Sequence, residues 1–219
     1  MITTLVRLAR GLLAAWGLIC ALPVFAGESP VGRYRIAEGP DVASQLEIRA
    51  DGRFSYMLSA GALDEHAQGR WQSIDSSIYL FTEPRPVPPV FSAIAPTHNK
   101  GVAVSVQVTW PNGKGIGGIE FRMGFETGEP MSGTTQDYGW SMPMGEHRVP
   151  QWIILAEPMH GIISPRFPIN IANGNALRFT LTPNDLGVFD FQGAEANVTA
   201  TELRLHRDGA ILRYIREKR

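Results

Sequence analysis

Residues 45–58 read Gln-Leu-Glu-Ile-Arg-Ala-Asp-Gly-Arg-Phe-Ser-Tyr-Met-Leu, and the fold is built outward from this stretch. Apolar and polar side chains alternate on both sides of Asp51-Gly52. Alternation with a period of two is typical of half-buried β-strands, and an Asp-Gly pair is typical of the turn between them. Residues 67–72 and 77–82 have the same strand character, so the sequence predicts an antiparallel meander.

The length of the central turn decides which residues pair. A two-residue loop would place the apolar rows of the two strands on opposite faces. A three-residue loop, residues 50–52, pairs Leu46 with Tyr56 and makes one face wholly apolar. Because the buried face fixes the register, we predict the three-residue loop, with Gly52 in the left-handed conformation. The same register pairs Ile48 with Phe54.

Residues 32–82 run in the order Gly-x-Tyr, strand, Asp-Gly, strand, Gly-x-Trp, strand. This order resembles small lipocalin-type domains of bacterial envelope proteins. Residues 32–36 are the predicted first strand, and residues 62–66 are predicted to form a single helical turn or a loop. The resemblance implies a small meander or partial barrel.

The amino terminus has the pattern of a secretory signal peptide. Arg7 and Arg10 precede an apolar run that Pro23 ends, and Ala26 provides a small residue before the expected cleavage point. The apolar run is shorter than the roughly 20 residues that span a bilayer. We therefore expect residues 1–26 to be removed, which leaves no stable membrane span and places the protein in the bacterial periplasm or outside the cell.

Composition narrows the possible chemistry. Cleavage would remove Cys20, the only cysteine, and the formal charge of the whole chain is −1 with no basic run, which argues against nucleic acid as a partner. Residues 113–118 match the letters of a dinucleotide-binding motif, but they precede a strand-like segment where that motif needs a helix. No histidine pattern of a known metal site occurs, so no cofactor is expected.

Prolines at positions 84, 86, 88 and 89 favour an extended conformation that cannot join a sheet. The sequence therefore predicts a stiff linker over residues 83–100. Strands are predicted at 102–108 and 116–123 on either side of a Pro-Asn-Gly turn at 111–113.

Three motifs in residues 102–156 carry a second resemblance. They are Gly-Lys-Gly-Ile at 113–116, Thr-Gln-Asp-Tyr-Gly at 135–139 and Gly-Glu-His at 145–147. They resemble the carboxypeptidase regulatory-like domain, a transthyretin-like Greek-key β-sandwich, although Gly115 stands for its usual proline and His147 for its usual aromatic residue. The resemblance implies an accessory, non-catalytic module, and it brings no functional residues to this chain.

The remaining segments predict further strands within a domain over residues 101–219. Residues 151–156 form one strand, and 167–171 with 176–182 are predicted to form a hairpin around Asn173-Gly174. A last hairpin centres on Asp208-Gly209, and face matching there favours a two-residue loop that pairs Leu203 with Tyr214 and Leu205 with Leu212. A terminal helix over 211–218 is the alternative. The last hairpin is either a second copy of the central one or the part that packs on the N-terminal sheet (residues 27–82).

The predicted fold class is thus all-β, and three functions are compatible with it. We favour an exported, non-catalytic accessory or binding protein of the bacterial envelope, whose partner is an envelope protein or a carbohydrate. Its candidate ligand-binding residues are Asp137, Tyr138, Trp140, Glu146 and His147. The alternative is a periplasmic hydrolase acting on envelope sugar or peptide, with Asp137, Glu146, His147 and His160 converging in one cleft. The third is a structural subunit with a large exposed apolar patch.

Overall fold

The computed structural model describes residues 29–37 and 39–218. The predicted signal peptide, residues 1–26 with Cys20, lies outside the described residues. Within them the regular structure is β-strand, and the helical content is a single 3-10 turn, Ile171–Asn173. The prediction of an all-β protein is confirmed. In the described part of the chain, no helix is long and apolar enough to cross a membrane.

Eight antiparallel strands close into a barrel. Numbered along the chain, they are β1 Gly32–Ile36, β2 Val42–Ile48, β3 Arg53–Ala60, β4 Leu63–Ile74, β5 Ser77–Thr82, β15 Gln192–Val198, β16 Glu202–Arg207 and β17 Ala210–Arg216. The order around the barrel is β1-β17-β16-β15-β5-β4-β3-β2. The barrel is therefore closed, where the sequence predicted a meander or partial barrel, because the three C-terminal strands join the first five.

Both hairpin registers are as predicted from face matching. Leu46 pairs with Tyr56, and the central loop has three residues with Gly52 at a φ of 80°. Leu203 pairs with Tyr214 across a two-residue loop whose residues Asp208 and Gly209 both have positive φ. The residues of the alternative terminal helix lie in β17 instead. In both hairpins a short loop joins two strands whose apolar residues alternate, and this pattern was sufficient to predict which residues pair.

Gly52→Val is expected to destabilise the protein by about 1–3 kcal/mol, because a β-branched residue resists the positive φ at this position. The cost is conformational, since a Cβ at Gly52 meets no atom within 4 Å. Chemical denaturation of the variant measures it. Gly52→Asn is the control, since asparagine tolerates this conformation, and a wild-type stability for Gly52→Val would refute the turn.

Apolar side chains fill the inside of the barrel, as they do in other barrels of eight strands. Phe191, which comes from the chain just before β15, lies at its centre and makes edge-to-face contacts with Phe54 at 5.7 Å and Tyr56 at 5.1 Å between ring centroids. Inside the same core, the Ser44 and Tyr214 hydroxyls lie 2.8 Å apart. Burial raises the pKa of Tyr34, Tyr56 and Tyr214 above the ordinary value for tyrosine. The barrel interior is thus a packed core.

The chain between β5 and β15 forms a second, two-layered unit. Its strands are β6 Val90–Thr97, β7 Ser105–Thr109, β8 Glu120–Phe125, β9 Met131–Thr134, β10 Trp140–Ser141, β11 Pro150–Glu157, β12 Ile162–Ile163, β13 Phe167–Pro168 and β14 Ala176–Thr182. One sheet has the order β10-β7-β14-β6, and the other has β12-β11-β8-β9 with β13 also paired to β11. The two sheets enclose a second apolar core, separate from that of the barrel.

Two hydrogen-bonded chain segments connect the sandwich to the barrel. The Asp185 carboxylate accepts from the backbone N–H of Val87 at 2.8 Å, and the Asn184 amide donates to the carbonyl of Pro88 at 2.8 Å. Arg85 and Asp190 form an ion pair at 3.3 Å. The proline segment is therefore one side of a two-chain connection, and a second segment runs beside it.

The structure corrects two local predictions. Residues 62–66 were expected to form a helical turn or a loop, but residues 63–66 begin β4, because a tight turn at Gly61, with a φ of 61°, returns the chain directly onto β3. The proposed linker over 83–100 is shorter than expected, because the prolines stop at Pro89. From Val90 the chain has N–H groups available and pairs with β14 as β6.

The predicted hairpin around 173–174 is also wrong, and antiparallel pairing around the 111–113 turn is present but short, with a single bridge between Thr109 and Gly115. The turns at 111–113 and 173–174 reverse the chain, but the strands on either side enter different sheets. After the first turn, the N–H of Ile116 bonds to the carbonyl of Val108, and that of Gly118 bonds to Thr135 in the other layer. The chain therefore crosses from one sheet to the other where the sequence suggested simple pairing.

Candidate functional site

The most exposed strand of the sandwich is β6, with the sequence Val-Phe-Ser-Ala-Ile-Ala-Pro-Thr. It lies at one end of its sheet, and within residues 29–37 and 39–218 it pairs only with β14. Six of its eight residues are exposed, and none is charged. Natural edge strands are commonly protected by charges, prolines or a covering segment. Here the only such device within the strand is Pro96, near its end, so most of the edge is open to pairing.

The two sheets part beside this edge. Phe91 is buried and pairs with the buried Leu181, so Ala93, two residues further along, also points between the sheets. Ala93 is nevertheless exposed, although its partner Phe179 is buried. An interior-facing position that remains exposed shows that the sandwich is open at this edge.

The opening is a groove of about 240 Å³. Its walls are β6 and β14 on one side and β13 with the residues that follow it on the other. The apolar residues among its lining include Ala93, Ile94, Phe167, Ile169, Leu177 and Phe179. An extended segment laid along β6 would therefore meet backbone hydrogen-bonding groups and an apolar recess together, which are the two components of peptide recognition by strand addition.

Arg178 is the charged residue of the groove lining. It lies on β14 opposite Ile94 and is exposed. Among the ion pairs of the described residues, none involves Arg178. The rim of the groove thus carries a positive charge without a counter-charge in this part of the protein.

The structure separates the candidate ligand-binding residues predicted from sequence. Asp137 and Tyr138 lie in the turn before β10, at the end of the sandwich where β7 finishes, and Tyr138 is 81 % exposed. Trp140 instead packs on Phe121, with their ring centroids 4.8 Å apart, so it supports the core and is not part of an exposed face. Tyr138 remains a candidate for a contact with a ligand.

Glu146 and His147 lie at the opposite end of the sandwich. There they line an open hollow of about 500 Å³ together with Glu126 and Thr127, which follow β8. Arg148 holds Glu146 through several hydrogen bonds, the shortest at 2.7 Å, and its guanidinium lies 4.0 Å from the centroid of the Phe125 ring. Hydrogen bonds from Arg148 lower the pKa of Glu146 to about 2.

Because its pKa is lowered in the folded protein, Glu146 contributes stability that is present above its unfolded pKa near 4.5 and is lost as the pH falls through about 2. We expect carbon-detected NMR to show Glu146 titrating near 2 in the wild type. In Arg148→Ala the titration should move towards the ordinary glutamate range. Glu202, whose pKa is lowered by a hydrogen bond from Arg213, is the internal control and should be unaffected by the substitution. An unchanged Glu146 titration in the variant would contradict this assignment.

The groups of the alternative hydrolase do not form one cluster. His160 lies 3.0 Å from Glu157 within the β11–β12 turn, and Glu157 also accepts from the backbone N–H of His160. No hydrogen bond joins any two of Asp137, Glu146, His147 and His160 in the described structure. In residues 29–37 and 39–218, no group of three or more histidine, cysteine, aspartate or glutamate side chains is arranged to hold a metal ion.

No protein-family model matches the chain, and neither a curated protein nor a solved structure matches it.

The sequence analysis did not predict β6 as a strand, because residues 90–97 follow the proline run and were assigned to the linker. The run Val-Phe-Ser-Ala-Ile-Ala after Pro89 is a short apolar segment of strand length, which was the available signal. Its position at a sheet edge and the adjacent groove depend on pairing with β14, more than 80 residues later along the chain.

Proposed function

We propose that this protein is an exported, non-catalytic binding protein of the bacterial envelope, and that it binds an extended segment of a partner protein along β6. The observation that carries the proposal is that β6 is an uncharged edge strand with six of its eight residues exposed. Strand addition gives affinity through main-chain hydrogen bonds, and the groove beside β6 provides a place for side chains. Between the two kinds of partner expected from sequence, this geometry favours a protein.

Two further parts of the proposal rest on sequence. The amino-terminal residues have the order of a secretory signal peptide, which supports export to the periplasm or beyond. The three turn motifs of the carboxypeptidase regulatory-like resemblance fall in connections between strands of the sandwich, which supports assignment of this unit to the transthyretin-like class. Expression of the full chain in a bacterial host and amino-terminal sequencing of the periplasmic product tests export, and Gly27 is the expected first residue.

Selection from a display library of short random peptides tests strand addition. Peptides selected on the wild type should bind the variant Ser92→Lys/Ile94→Lys much more weakly, because charges on an edge strand oppose pairing with a further strand. Both substituted residues are exposed, so the fold should tolerate them. Ser132→Lys/Thr134→Lys is the matched control, since it places the same two charges at exposed positions of β9, an edge strand of the other sheet.

Hydrogen exchange supplies a second measurement. The selected peptides should slow exchange of backbone amides in β6, while amides of β9 remain unchanged. The proposal fails if the selected peptides bind the lysine variant as well as the wild type, or if no selected peptide protects β6.

A further inference from the structure

We infer that the segment bound along β6 carries a bulky apolar side chain that enters the groove beside Ala93 and an acidic side chain that pairs with Arg178. This inference rests on the proposed function and specifies the chemistry of the partner. It follows from three features of the site: a recess that small residues leave unfilled, an unpaired cation at its rim, and a limit to the length of the pairing edge.

The recess needs a side chain larger than those of β6. Ala93 is small and exposed at a position that faces between the sheets, while Leu177 and Phe179 beneath it are buried parts of the core. A strand added outside β6 presents alternate side chains to the same gap, because successive side chains point to opposite faces. A leucine or an aromatic residue there would extend the sandwich core, and removal of its apolar surface from water would stabilise the complex.

This requirement argues against a second copy of the chain as the occupant. Two β6 strands paired about a two-fold axis present the same residues to each other. Phe91 is already buried in the core of its own copy, so the exposed interior-facing residues that each copy offers are Ala93 and Ala95, which are too small to fill the groove. A segment of different sequence, from another protein, is therefore the better fit.

Charge favours an acidic residue on the other face of that segment. Arg178 pairs with Ile94 and is exposed between two buried residues of β14, so its side chain lies on the outer face of the sheet, one strand from the edge. An arginine side chain is long enough to approach a strand added outside β6. It has no ion-pair partner among the described residues, and β6 itself has no charge that would repel a carboxylate. An acidic side chain on the added strand would be the complementary charge, which improves specificity more than affinity.

The edge also limits the length of the bound segment. The register between β6 and β14 shifts next to Pro96, and proline has no N–H to donate. Continuous pairing is therefore expected from Val90 to Ala95. A segment of about six residues matches this length, at about 3.3 Å for each residue.

Four synthetic peptides test the inference. The first, Thr-Ile-Thr-Phe-Glu-Val-Thr, places Ile, Phe and Val on one face and Thr and Glu on the other. The second replaces Phe with Ala, the third replaces Glu with Lys, and the fourth carries N-methyl groups on alternate amides, which cannot donate to β6. Fluorescence anisotropy measures each affinity, and hydrogen exchange shows whether β6 is protected.

We expect replacement of Phe by Ala to weaken binding by about tenfold or more, as the loss of a buried aromatic side chain predicts. Replacement of Glu by Lys should weaken it by about fivefold, and this difference should disappear in Arg178→Gln. The N-methylated peptide should not protect β6. Ala93→Phe, which fills the groove from the protein side, should remove the preference for Phe over Ala, and its melting curve confirms that it folds.

The possible failures can be told apart. If peptides protect β6 but bind equally well with Phe or Ala and with Glu or Lys, the inference is wrong and strand addition stands. If neither these peptides nor those selected from the library protect β6, the proposed function fails as well.

Discussion

Gly69→Ala is expected to cost about 3 kcal/mol or more of folding free energy, which is a large effect for a single methyl group. A Cβ at Gly69 would lie 1.9 Å from the carbonyl oxygen of Phe81 and 2.8 Å from the backbone nitrogen of Glu83. Both are backbone atoms, so no side-chain rotation relieves the overlap. The strands β4 and β5 would have to separate where the chain leaves the barrel.

Gly39→Ala is the matched control for this variant. Its added Cβ meets nothing within 4 Å, and Gly39 has no positive φ, so the substitution should change stability by little. Thermal and chemical denaturation of both variants supply the comparison. Equal stabilities of the two alanine variants would show that β4 and β5 do not approach as closely as the structure indicates.

Gly69 also shows what the sequence could and could not predict. As the first residue of the Gly-x-Trp element, it was placed in a strand, and the strand is present. The reason for glycine is the contact with the backbone at Phe81, which depends on how β4 and β5 approach each other in space. Patterns of apolar residues predict which face is buried, but they do not report distances between backbones.

Local burial patterns were sufficient to predict the register of the two hairpins, but they were not sufficient to predict the topology of the barrel. Leu46 pairs with Tyr56, and Leu203 pairs with Tyr214. In each case a short loop joins the two strands, and their apolar residues must lie on the same buried face, so only one register is possible. Closure of the barrel by pairing of β1 with β17 joins the two ends of the described chain, and the sequence allowed it only as one of two arrangements. Short strands such as β10, with two residues, have too few positions for a period to be visible.

The candidate site was even less accessible from sequence. Aromatic and acidic residues near glycine turns suggested Asp137, Tyr138 and Glu146, but the strand directions place the first two and the last at opposite ends of the sandwich. The groove beside β6 is lined by residues that sequence reasoning would assign to a core, such as Phe179. The groove is a candidate site because no further strand covers the edge of β6 among the described residues. A local sequence pattern does not show whether a strand lies at the edge of its sheet.

Arg207→Met is the second substitution with a large expected effect. The Arg207 guanidinium lies 2.6 Å from the Glu65 carboxylate and 3.6 Å from the centroid of the Phe189 ring, and it donates a hydrogen bond to the Tyr56 hydroxyl. The side chains of Arg207 and Glu65 are each only 12 % exposed. The cluster thus joins β16, β4 and β3 to the segment that returns from the sandwich.

Loss of the guanidinium would leave the Glu65 carboxylate largely buried without a cation, and removal of one partner from such a pair costs about 3–5 kcal/mol. Glu65→Leu/Arg207→Met removes both charges, so the double variant should be more stable than Arg207→Met alone. Chemical denaturation of the two single variants and the double variant completes a double-mutant cycle. Arg33→Met is the control in the same barrel: Arg33 pairs with Glu47 at 3.0 Å but is 66 % exposed, so its loss should change stability far less than the loss of Arg207. If the double variant is as unstable as the sum of the single variants, Arg207 stabilises the barrel through its contacts with Phe189 and Tyr56, and its pairing with Glu65 adds nothing.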